Sequence, residues 1–371
     1  MHPPQEISAG VSISQTGSFA RQGRRALDGI LLWQSYTNAQ GGLALESGEK
    51  RPVRLVCYDD QSRTPLARQN VLRLLREDCV DLLLGPYSSG LTLAVAPLSE
   101  EHKKILWNHG GSSDEVSGRG YGYMVNAPSP ASDYLRELPC WLAKHAPKLR
   151  RICILRSSRG TFASQVAQGL AEAIPKVGIH FLDVVPMDLP WVDAETIVQK
   201  LDALRPEVAV LAGRFEDEVR LLRSRHLWPN TVQQVIAVAA GVNAFFQELN
   251  QSAEGVIGPS QWEPGAHFRP VVGPDSSWFV SNFQERFGRL PDYTAAGGFA
   301  IGLVLSECVR RASSLEDERL RAVAAELDFN TFYGRFWLDP VTGRQIGHRI
   351  LLTRWQQARK VVLREYEPLD T

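Results

Sequence analysis

Three short segments combine glycines with hydroxyl side chains in a pattern that suits anion binding. They are Gln15-Thr16-Gly17-Ser18-Phe19-Ala20, Gly85-Pro86-Tyr87-Ser88-Ser89-Gly90 and Asn108-His109-Gly110-Gly111-Ser112-Ser113. Hydroxyl residues before a helix can cap it, and the first turn of a helix also presents free N–H groups to an anion. One such segment is explained by capping alone. Three of them, each following an apolar strand pattern, favour a binding site for a small anion.

A fourth segment, Ala212-Gly213-Arg214-Phe215, follows another apolar run and carries a cation. The guanidinium of Arg214 holds its donors in a plane that matches a carboxylate. A surface ion pair with Glu216 or Asp217 is the alternative interpretation of the same residue.

Sequence motifs of catalysis are missing. The chain contains no G-x-S-x-G, no H-E-x-x-H, no C-x-x-C and no phosphate loop with lysine. His109 and Ser112 are close in sequence, but no third group that would orient a base accompanies them. The eight histidines show no metal-ligand spacing. We therefore expect a binding protein without enzymatic activity, metal or cofactor.

Length and charge limit the class of protein further. The 371 residues are enough for two domains, and 44% of them are hydrophobic. Lys and Arg together number 41, as do Asp and Glu, so the formal charge is zero and nucleic acid is not the expected partner. No apolar run reaches the roughly 18 to 20 residues of a membrane span.

The start of the sequence and the cysteines bear on the compartment. Residues 1–5 lead directly into the strand pattern Ile7–Ile13, without the basic start and apolar stretch of a signal peptide. Either a signal has been removed or the protein stays in the cytoplasm. Of five cysteines, Cys57 and Cys153 lie in apolar runs and are expected in the core. A Cys57–Cys79 disulfide stays possible on sequence alone.

Short β-branched runs alternate with longer helical patterns along most of the chain. The predicted strands are Ile7–Ile13, Val53–Tyr58, Val80–Leu84, Ile105–Trp107, Ile152–Leu155, Ile179–Val184, Val208–Leu211 and Val235–Val238. The predicted helices are 20–39, 65–77, 90–103, 132–146, 161–177, 194–204 and 215–226. This alternation predicts an α/β fold of two doubly wound parallel sheets, with function at the carboxyl ends of the strands.

The last hundred residues show a different pattern. Helices are predicted at Ser276–Phe287, Thr294–Arg311 and Leu315–Leu327, followed by a hairpin with Gly343 between Asp339–Pro340 and Arg349–Trp355. This segment cannot form a third parallel lobe. We expect it to complete the first two, so that the chain crosses between lobes more than once.

Several phrases, in order along the chain, resemble the branched-chain amino-acid-binding proteins of ABC transporters. Besides Gly85-Pro86 with Ser88-Ser89, they are Ser12-x-Ser14-x-Thr16-Gly17, Asn38-Ala39-Gln40-Gly41-Gly42, Tyr58-Asp59-Asp60, Pro291-x-Tyr293 and Tyr333-Gly334-Arg335-Phe336-x-x-Asp339 with Gly343. The resemblance implies a type I periplasmic binding fold, with two Rossmann-like lobes joined by three crossovers near 126–130, 258–262 and 332–337. Lobe 1 would comprise 1–127 and 260–333, and lobe 2 would comprise 128–259 and 334–371.

The resemblance also implies a set of ligand contacts. Ser89, Gly110 and Ser112, next to Ser88, would bind a carboxylate through hydroxyl and N–H groups. Ser18, Phe19 or Gln22 stands where an aromatic residue closes over the ligand. Phe299 matches a pocket aromatic. Apart from the resemblance, the aromatic residues of the sequence, Phe162 among them, would allow a ligand with an aromatic or apolar body.

The second lobe departs from the family pattern. Ala240 stands where the family has an acid that binds the ligand's ammonium group, and Arg214 stands where an aromatic residue is expected. A buried ammonium without a partner is costly, so we expect a carboxylate-bearing solute other than a standard branched-chain amino acid.

The resemblance implies a monomeric protein of the periplasm that delivers its solute to a membrane permease. A cytoplasmic sensor of amides or other small molecules, which has the same fold and regulates a partner protein, is the alternative function. It is the expected one if Met1 is the native start.

Overall fold

The computed structural model describes residues 6–45, 48–187, 194–266 and 268–363. The chain forms two compact units. Of the described residues, unit 1 contains 6–129 together with Ala266–Arg349, and unit 2 contains Pro130–Gly265 together with 350–363. The prediction about a signal peptide concerns residues 1–5 and lies outside the described residues.

The elements alternate as the sequence predicts. The strands are β1 Ile7–Ile13, β2 Leu43–Ala44, β3 Lys50–Arg51, β4 Val53–Asp59, β5 Leu82–Leu84, β6 Leu106–Asn108, β7 Met124–Asn126, β8 Arg151–Arg156, β9 His180–Pro186, β10 Val208–Ala212, β11 Gln234–Ala237, β12 Ile257–Ser260, β13 Asp328–Thr331, β14 Gly334–Trp337, β15 Leu351–Gln356 and β16 Arg359–Val362. The helices are α1 Ala20–Ala39, α2 Thr64–Arg76, α3 Ser89–Glu101, α4 Asp114–Gly118, α5 Leu138–His145, α6 Phe162–Ala173, α7 Ala194–Leu204, α8 Phe215–Arg223, α9 Ala244–Leu249, α10 Ser276–Phe287, α11 Tyr293–Ala312 and α12 Asp317–Glu326.

Unit 1 is built on a parallel sheet with the order β4-β1-β5-β6-β7. All seven residues of β1 are buried, as expected for an inner strand of a sheet covered on both faces. Helices α1 and α11 pack so closely that a Cβ on Gly298 would fall on the backbone of Ala26. Glycine is therefore required there for helix packing.

Unit 2 has the same parallel order, β9-β8-β10-β11-β12, and adds the antiparallel strands β15 and β16 beyond β12. Apolar side chains on the two faces of this sheet form two separate core clusters. In each unit the strand order reverses once, between β1 and β5 in unit 1 and between β8 and β10 in unit 2. Ligands of open α/β sheets bind at such reversals, outside the carboxyl ends of the strands.

The boundaries between the units differ from the predicted ones. The first boundary follows Ser129, close to the predicted 127, but the others follow Gly265 and Arg349 rather than 259 and 333. The later second boundary arises because β12 belongs wholly to the sheet of unit 2. The third lies later because β13 pairs with β14, which keeps residues 334–337 in unit 1.

A buried histidine also holds the chain near the third boundary in unit 1. His348 lies 2.7 Å through Nδ1 from the Ser129 hydroxyl, and 3.1 Å through Nε2 from the Tyr333 carbonyl oxygen. The predicted turn at Gly343 is present, because an antiparallel bridge joins Leu338 to Gln345 across it and Gly343 has positive φ. The strand predicted after it, β15, does not complete this hairpin but pairs with β16 through a turn at Gln357 and Ala358, both with positive φ.

All five cysteines are free thiols, so the possible Cys57–Cys79 disulfide is not formed. Cys153 is buried as predicted, whereas Cys57 is half-buried. Within the described ranges, no helix combines the length and the apolar character that a membrane crossing needs.

Candidate functional site

Ser89 is the most informative of the predicted contact residues in unit 1. It opens α3, directly beyond β5, and its hydroxyl oxygen accepts hydrogen bonds from the backbone N–H groups of Ser112, at 3.1 Å, and Ser113, at 2.9 Å. A serine hydroxyl has two acceptor positions and one proton to donate. Both acceptor positions are therefore used, and the described residues supply no acceptor for the Ser89 proton.

The loop after β6 is held by a buried asparagine. Asn108 Oδ1 accepts from Gly110 N at 3.2 Å and from Gly111 N at 2.8 Å, while its Nδ2 donates to Gly111 O and to Asn126 Oδ1 at 2.8 Å each. The N–H groups of Gly110 and Ser112, which the family resemblance assigns to a ligand carboxylate, thus already have acceptors inside the protein. A carboxylate would have to share them, which leaves the Ser89 hydroxyl as the better donor.

Ser88 caps a helix, which is the alternative role that hydroxyl residues of this segment can have. Its side chain caps α3 by accepting from Leu91 N at 3.3 Å. Its backbone has φ +96° and ψ 144°, a region that residues other than glycine rarely occupy. Strain of this kind is found where a chain must turn sharply, and here the turn sets the direction of Ser89.

The loop after β1 is fixed by the two acids of the Tyr58-Asp59-Asp60 phrase. Asp59 accepts from Gln15 N at 2.9 Å and from the Thr16 hydroxyl at 2.7 Å, and Asp60 accepts from the Ser14 hydroxyl. Three hydrogen bonds to Gln15, Thr16 and Gln61 N–H groups, with the Thr16 hydroxyl, lower the pKa of Asp59 despite the opposing effect of burial. These carboxylates are scaffold residues.

An aromatic pair lies at the same sheet edge. Phe19, half-buried before α1, meets Tyr87 edge to face with 6.5 Å between ring centroids. Tyr87 in turn covers Gly110, where a Cβ would lie 2.9 Å from Tyr87 Cδ2. Phe19 is among the predicted contacts and Tyr87 is not, although Tyr87 directly precedes Ser88 in the segment Gly85–Gly90. The loops after β1, β5 and β6 therefore converge in unit 1.

The other predicted residues of this loop cluster differ in exposure. Ser18 is exposed to solvent. Gln22 is half-buried, and its Oε1 atom is buried without a hydrogen-bond partner among the described residues. Of the two, only Gln22 shows an unmet hydrogen-bonding need.

His109 is a buried neutral side chain. It is 4% exposed, and Nε2 lies 2.7 Å from the carbonyl oxygen of Gly85. Because a carbonyl only accepts, Nε2 carries the proton and Nδ1 is an acceptor. Burial lowers the pKa of His109 to about 4, although the bond to Gly85 opposes this shift. The ring fastens the end of β6 to the end of β5.

Phe299 is not a pocket residue. Its side chain is fully buried in an aromatic cluster with Tyr36, Trp278, Phe279 and Phe332, with ring centroids 5.3 to 5.9 Å apart. It lies on α11, which is buried over nearly its whole length, so an aromatic residue here packs the core of unit 1. The sequence prediction for Phe299 is therefore wrong.

Arg214 and Phe162 lie at the strand reversal of unit 2. Arg214 is exposed and immediately precedes α8, directly after β10. Phe162 opens α6 after β8 and is half-buried, with its ring 5.1 Å from that of Tyr134 in an edge-to-face contact. Phe162 packs on the core cluster of that face, so only part of its ring is available to a ligand.

A buried acid in unit 2 is not among the residues predicted from the sequence. Glu218 is fully buried on α8, and its two carboxyl oxygens accept from Gly213 N and Ala239 N, each at 2.7 Å. Burial raises the pKa of Glu218 well above its usual range. Ala240, where the family pattern has an acid, is also fully buried, and a Cβ on Gly258 would lie 2.7 Å from its methyl carbon. The run of acids after Arg214 was a visible signal for Glu218.

The sequence matches a known family along most of its length. The model of the family described as periplasmic binding protein matches residues 6–360.

In the described ranges, no three His, Cys, Asp or Glu side chains are grouped as a metal site requires.

The fold is similar to solved structures that cover nearly the whole chain. The leucine-binding protein LivK of Thermotoga maritima has a TM-score of 0.83 at 17% identity, over 96% of this chain and 97% of that one. A solute-binding protein of R. palustris in complex with benzoate has a TM-score of 0.79 at 16% identity, over 97% and 96%. LivJ of Streptococcus pneumoniae, in complex with isoleucine, has a TM-score of 0.80 at 16% identity, over 96% and 98%.

Proposed function

Because the chain belongs to the periplasmic binding protein family, we propose that it is the solute-binding protein of an ABC transporter and captures a small carboxylate-bearing solute. The proposal of a carboxylate rests on the Ser89 hydroxyl, whose oxygen accepts hydrogen bonds from two backbone N–H groups. Its proton must then point to a third partner, and an anionic oxygen is the strongest acceptor that could take it.

The electrostatics around Ser89 favour the same chemistry. Ser89 begins a helix of 13 residues, and the amino end of a helix carries a partial positive charge. His109, at the neighbouring strand end, has a pKa lowered to about 4 and is neutral at physiological pH. The carboxylate would therefore be recognised by directed hydrogen bonds and by the helix end.

The body of the solute is proposed to be apolar and flat. Phe19 and Tyr87 place two ring edges at the sheet edge that holds Ser89. In unit 2, the fully buried Ala240 supplies no acid for an ammonium group, while the exposed Arg214 supplies a second set of donors. A benzoate-like acid fits these groups better than an amino acid, because an ammonium without an anionic partner is disfavoured.

In this proposal the protein works in the periplasm as a monomer, delivers its solute to a membrane permease and catalyses no reaction. Its contribution to transport is selective binding alone.

A ligand screen tests the proposal. Purified protein is heated with benzoate, 3,4-dihydroxybenzoate, isoleucine or leucine, each at several concentrations. A ligand at 100 times its Kd adds about 2.7 kcal/mol to the free energy of unfolding, which raises Tm by several degrees. We expect such shifts with the benzoates and none with the amino acids. Tight binding of leucine without a response to either benzoate would overturn the proposed ligand class.

The role of Ser89 is tested by Ser89→Ala with titration calorimetry. Loss of a hydrogen bond to a charged group is worth about 1.5 to 3 kcal/mol, or roughly ten- to 150-fold in Kd. The matched control is Ser99→Ala, which removes a buried hydroxyl at the other end of α3, where it donates to the Lys104 carbonyl oxygen. Unchanged affinity in Ser89→Ala would remove Ser89 from the site.

A further inference from the structure

Glu218 connects two loops that lie at the functional end of the unit 2 sheet. Gly213 follows β10 and Ala239 follows β11, and the N–H of each donates to one oxygen of the same carboxyl group at 2.7 Å. The stem of Glu218 also runs beside Gly213, where a Cβ would lie 3.6 Å from Glu218 Cγ. The carboxyl group thus fixes the spacing of two neighbouring strand ends.

A buried acid at this position is costly unless it has a geometric role. Glu218 has no exposed surface, and burial is the largest influence on its raised pKa. The nearby charge of Asp217 has the same sign and raises the pKa further, whereas the two N–H groups lower it. An apolar side chain would fill the space without this penalty. What only the carboxyl provides is two acceptors directed at two loops.

The turn of residues 238–241 does not depend on Glu218 alone. Trp355 Nε1 donates to the Ala240 carbonyl oxygen at 2.9 Å, and Lys360 Nζ donates to the Gly241 carbonyl oxygen at 2.7 Å. These bonds come from β15 and β16 and hold the turn from its other side. If residue 218 could no longer accept hydrogen bonds, this turn would still be held by the hydrogen bonds from Trp355 and Lys360.

The Gly213–Arg214 segment has less support. The Gly213 N–H donates to Glu218, and the neighbouring backbone hydrogen bonds lie one residue to either side, from Ser157 N to the Ala212 carbonyl oxygen at 2.9 Å and from Glu218 N to the Arg214 carbonyl oxygen at 3.0 Å. Gly213 also lacks a side chain that could anchor it. Releasing Glu218 would therefore free the main chain at the residue that sets the direction of Arg214.

We propose that Glu218 is a positioning residue, which fixes the main chain at Gly213 and thereby aims Arg214 at the polar end of the solute. This inference rests on the proposed function for the role of Arg214 but not for the contact itself. It makes the selectivity of the site depend on an acid that never touches the solute.

The test combines a contact measurement with a binding measurement. In Glu218→Gln one acceptor is replaced by an NH₂ group of nearly the same size, so packing is kept. Amide hydrogen exchange followed by NMR should show faster exchange at Gly213, by at least tenfold, with little change at Val242. The control is Glu207→Gln, which changes another unit 2 carboxylate that accepts two backbone N–H groups, those of Arg150 and Arg151, at the amino ends of the strands, and it should leave Gly213 exchange unchanged.

Binding of 3,4-dihydroxybenzoate is then measured in a double-mutant cycle. Glu218→Gln should weaken binding about tenfold in the wild-type background and by less than twofold in an Arg214→Ala background, because both changes remove the same interaction. Equal effects in both backgrounds, or unchanged exchange at Gly213, would overturn the inference. Should Glu218→Gln not fold, Glu218→Asp shortens the tie and serves in its place.

The two proposals can fail separately. If Arg214→Ala binds 3,4-dihydroxybenzoate as the wild type does, the proposed role of Arg214 is wrong, and the selectivity role of Glu218 falls with it. Faster exchange at Gly213 in Glu218→Gln would still establish the contact, because that measurement needs no ligand.

Discussion

The ring of Tyr87 lies directly over Gly110, so that a Cβ at residue 110 would be 2.9 Å from Tyr87 Cδ2 and 3.2 Å from Tyr87 Cα. The loops after β5 and β6 are therefore in contact through a glycine on one side and an aromatic ring on the other. The requirement for glycine is steric, because no positive φ is needed at this position.

Gly110→Ala is expected to push Tyr87 away from the loop. Overpacking of this size costs about 1 to 3 kcal/mol, which urea denaturation would detect. Binding of benzoate should weaken as well, because Tyr87 contacts Phe19. Gly118→Ala is the control, since a Cβ on Gly118 meets nothing within 4 Å. Equal stability of the two variants would show that Tyr87 moves without cost.

The fold could be predicted from the sequence because its elements are long and strongly patterned. The predicted bounds of α1, α7 and β1 agree with the structure, since each combines a clear hydrophobic period with recognisable ends. The β13–β14 hairpin was missed because its strands have only four residues each, too few to show a period of two. The third boundary between the units was predicted too early for the same reason, because β14 was not recognised as the partner of β13.

The candidate site could be predicted only as loops. Ser89 and Ser112 were found because strand ends are where such folds bind ligands. The hydrogen bond from Ser112 N to the Ser89 hydroxyl joins residues that are 23 positions apart in the sequence. No local sequence pattern predicts a contact over that distance. Phe299 was misplaced because an apolar helix shows no preferred face, so its pocket and core positions look alike.

The buried acid of unit 2 was harder to predict from the sequence than the contacts of unit 1. Ala240 itself supplies no acid, but Glu218 brings a carboxyl group to the adjacent N–H of Ala239. Three acids follow one another at 216–218, and only their burial distinguishes them. Helical phase turns Glu218 inward, and this phase is fixed by where α8 starts.

Two substitutions of Ser88 distinguish the effect of backbone strain on stability from the effect of helix capping. Glycine occupies φ near +96° without penalty, and release of a strained residue is worth about 1 to 3 kcal/mol. Loss of the cap to glycine costs only a few tenths of a kcal/mol. Ser88→Gly should therefore be about 1 kcal/mol more stable in urea denaturation, after the higher entropy of glycine in the unfolded chain is included. Ser88→Ala keeps the strain and loses the cap, so it should be less stable than wild type.

The ion pair between Lys360 and Glu263 is buried, with 5% and 6% of the two side chains exposed. Lys360→Met removes the cation that offsets the Glu263 carboxylate and the donor to Gly241. Breaking a buried pair from one side costs about 3 to 5 kcal/mol, so Tm should fall by about 6 to 20 °C on the scale of about 2 to 4 °C per kcal/mol for a domain of 150 to 250 residues. The double variant Lys360→Met with Glu263→Gln should recover part of the loss. A double variant no more stable than Lys360→Met would mean that Glu263 is held by other contacts.

His109 should make stability depend on pH. Its folded-state pKa is lowered to about 4 from 6.5, so the folded chain resists protonation that the unfolded chain accepts. The stabilisation is fully present above pH 6.5 and is lost as pH falls through 4. From pH 7 to pH 5 the loss is about 2 kcal/mol, at 1.36 kcal/mol for each pKa unit.

His109→Gln keeps a donor for the Gly85 carbonyl oxygen and removes the titration. Urea denaturation at pH 7 and pH 5 should therefore show a smaller difference in the free energy of unfolding for His109→Gln than for wild type. Glu218 acts in the opposite direction, because its raised pKa gives stability that is present at low pH and declines as pH rises. Glu218→Gln should accordingly steepen the loss toward low pH. If His109→Gln kept the full wild-type difference, the buried imidazole would not be the group that titrates.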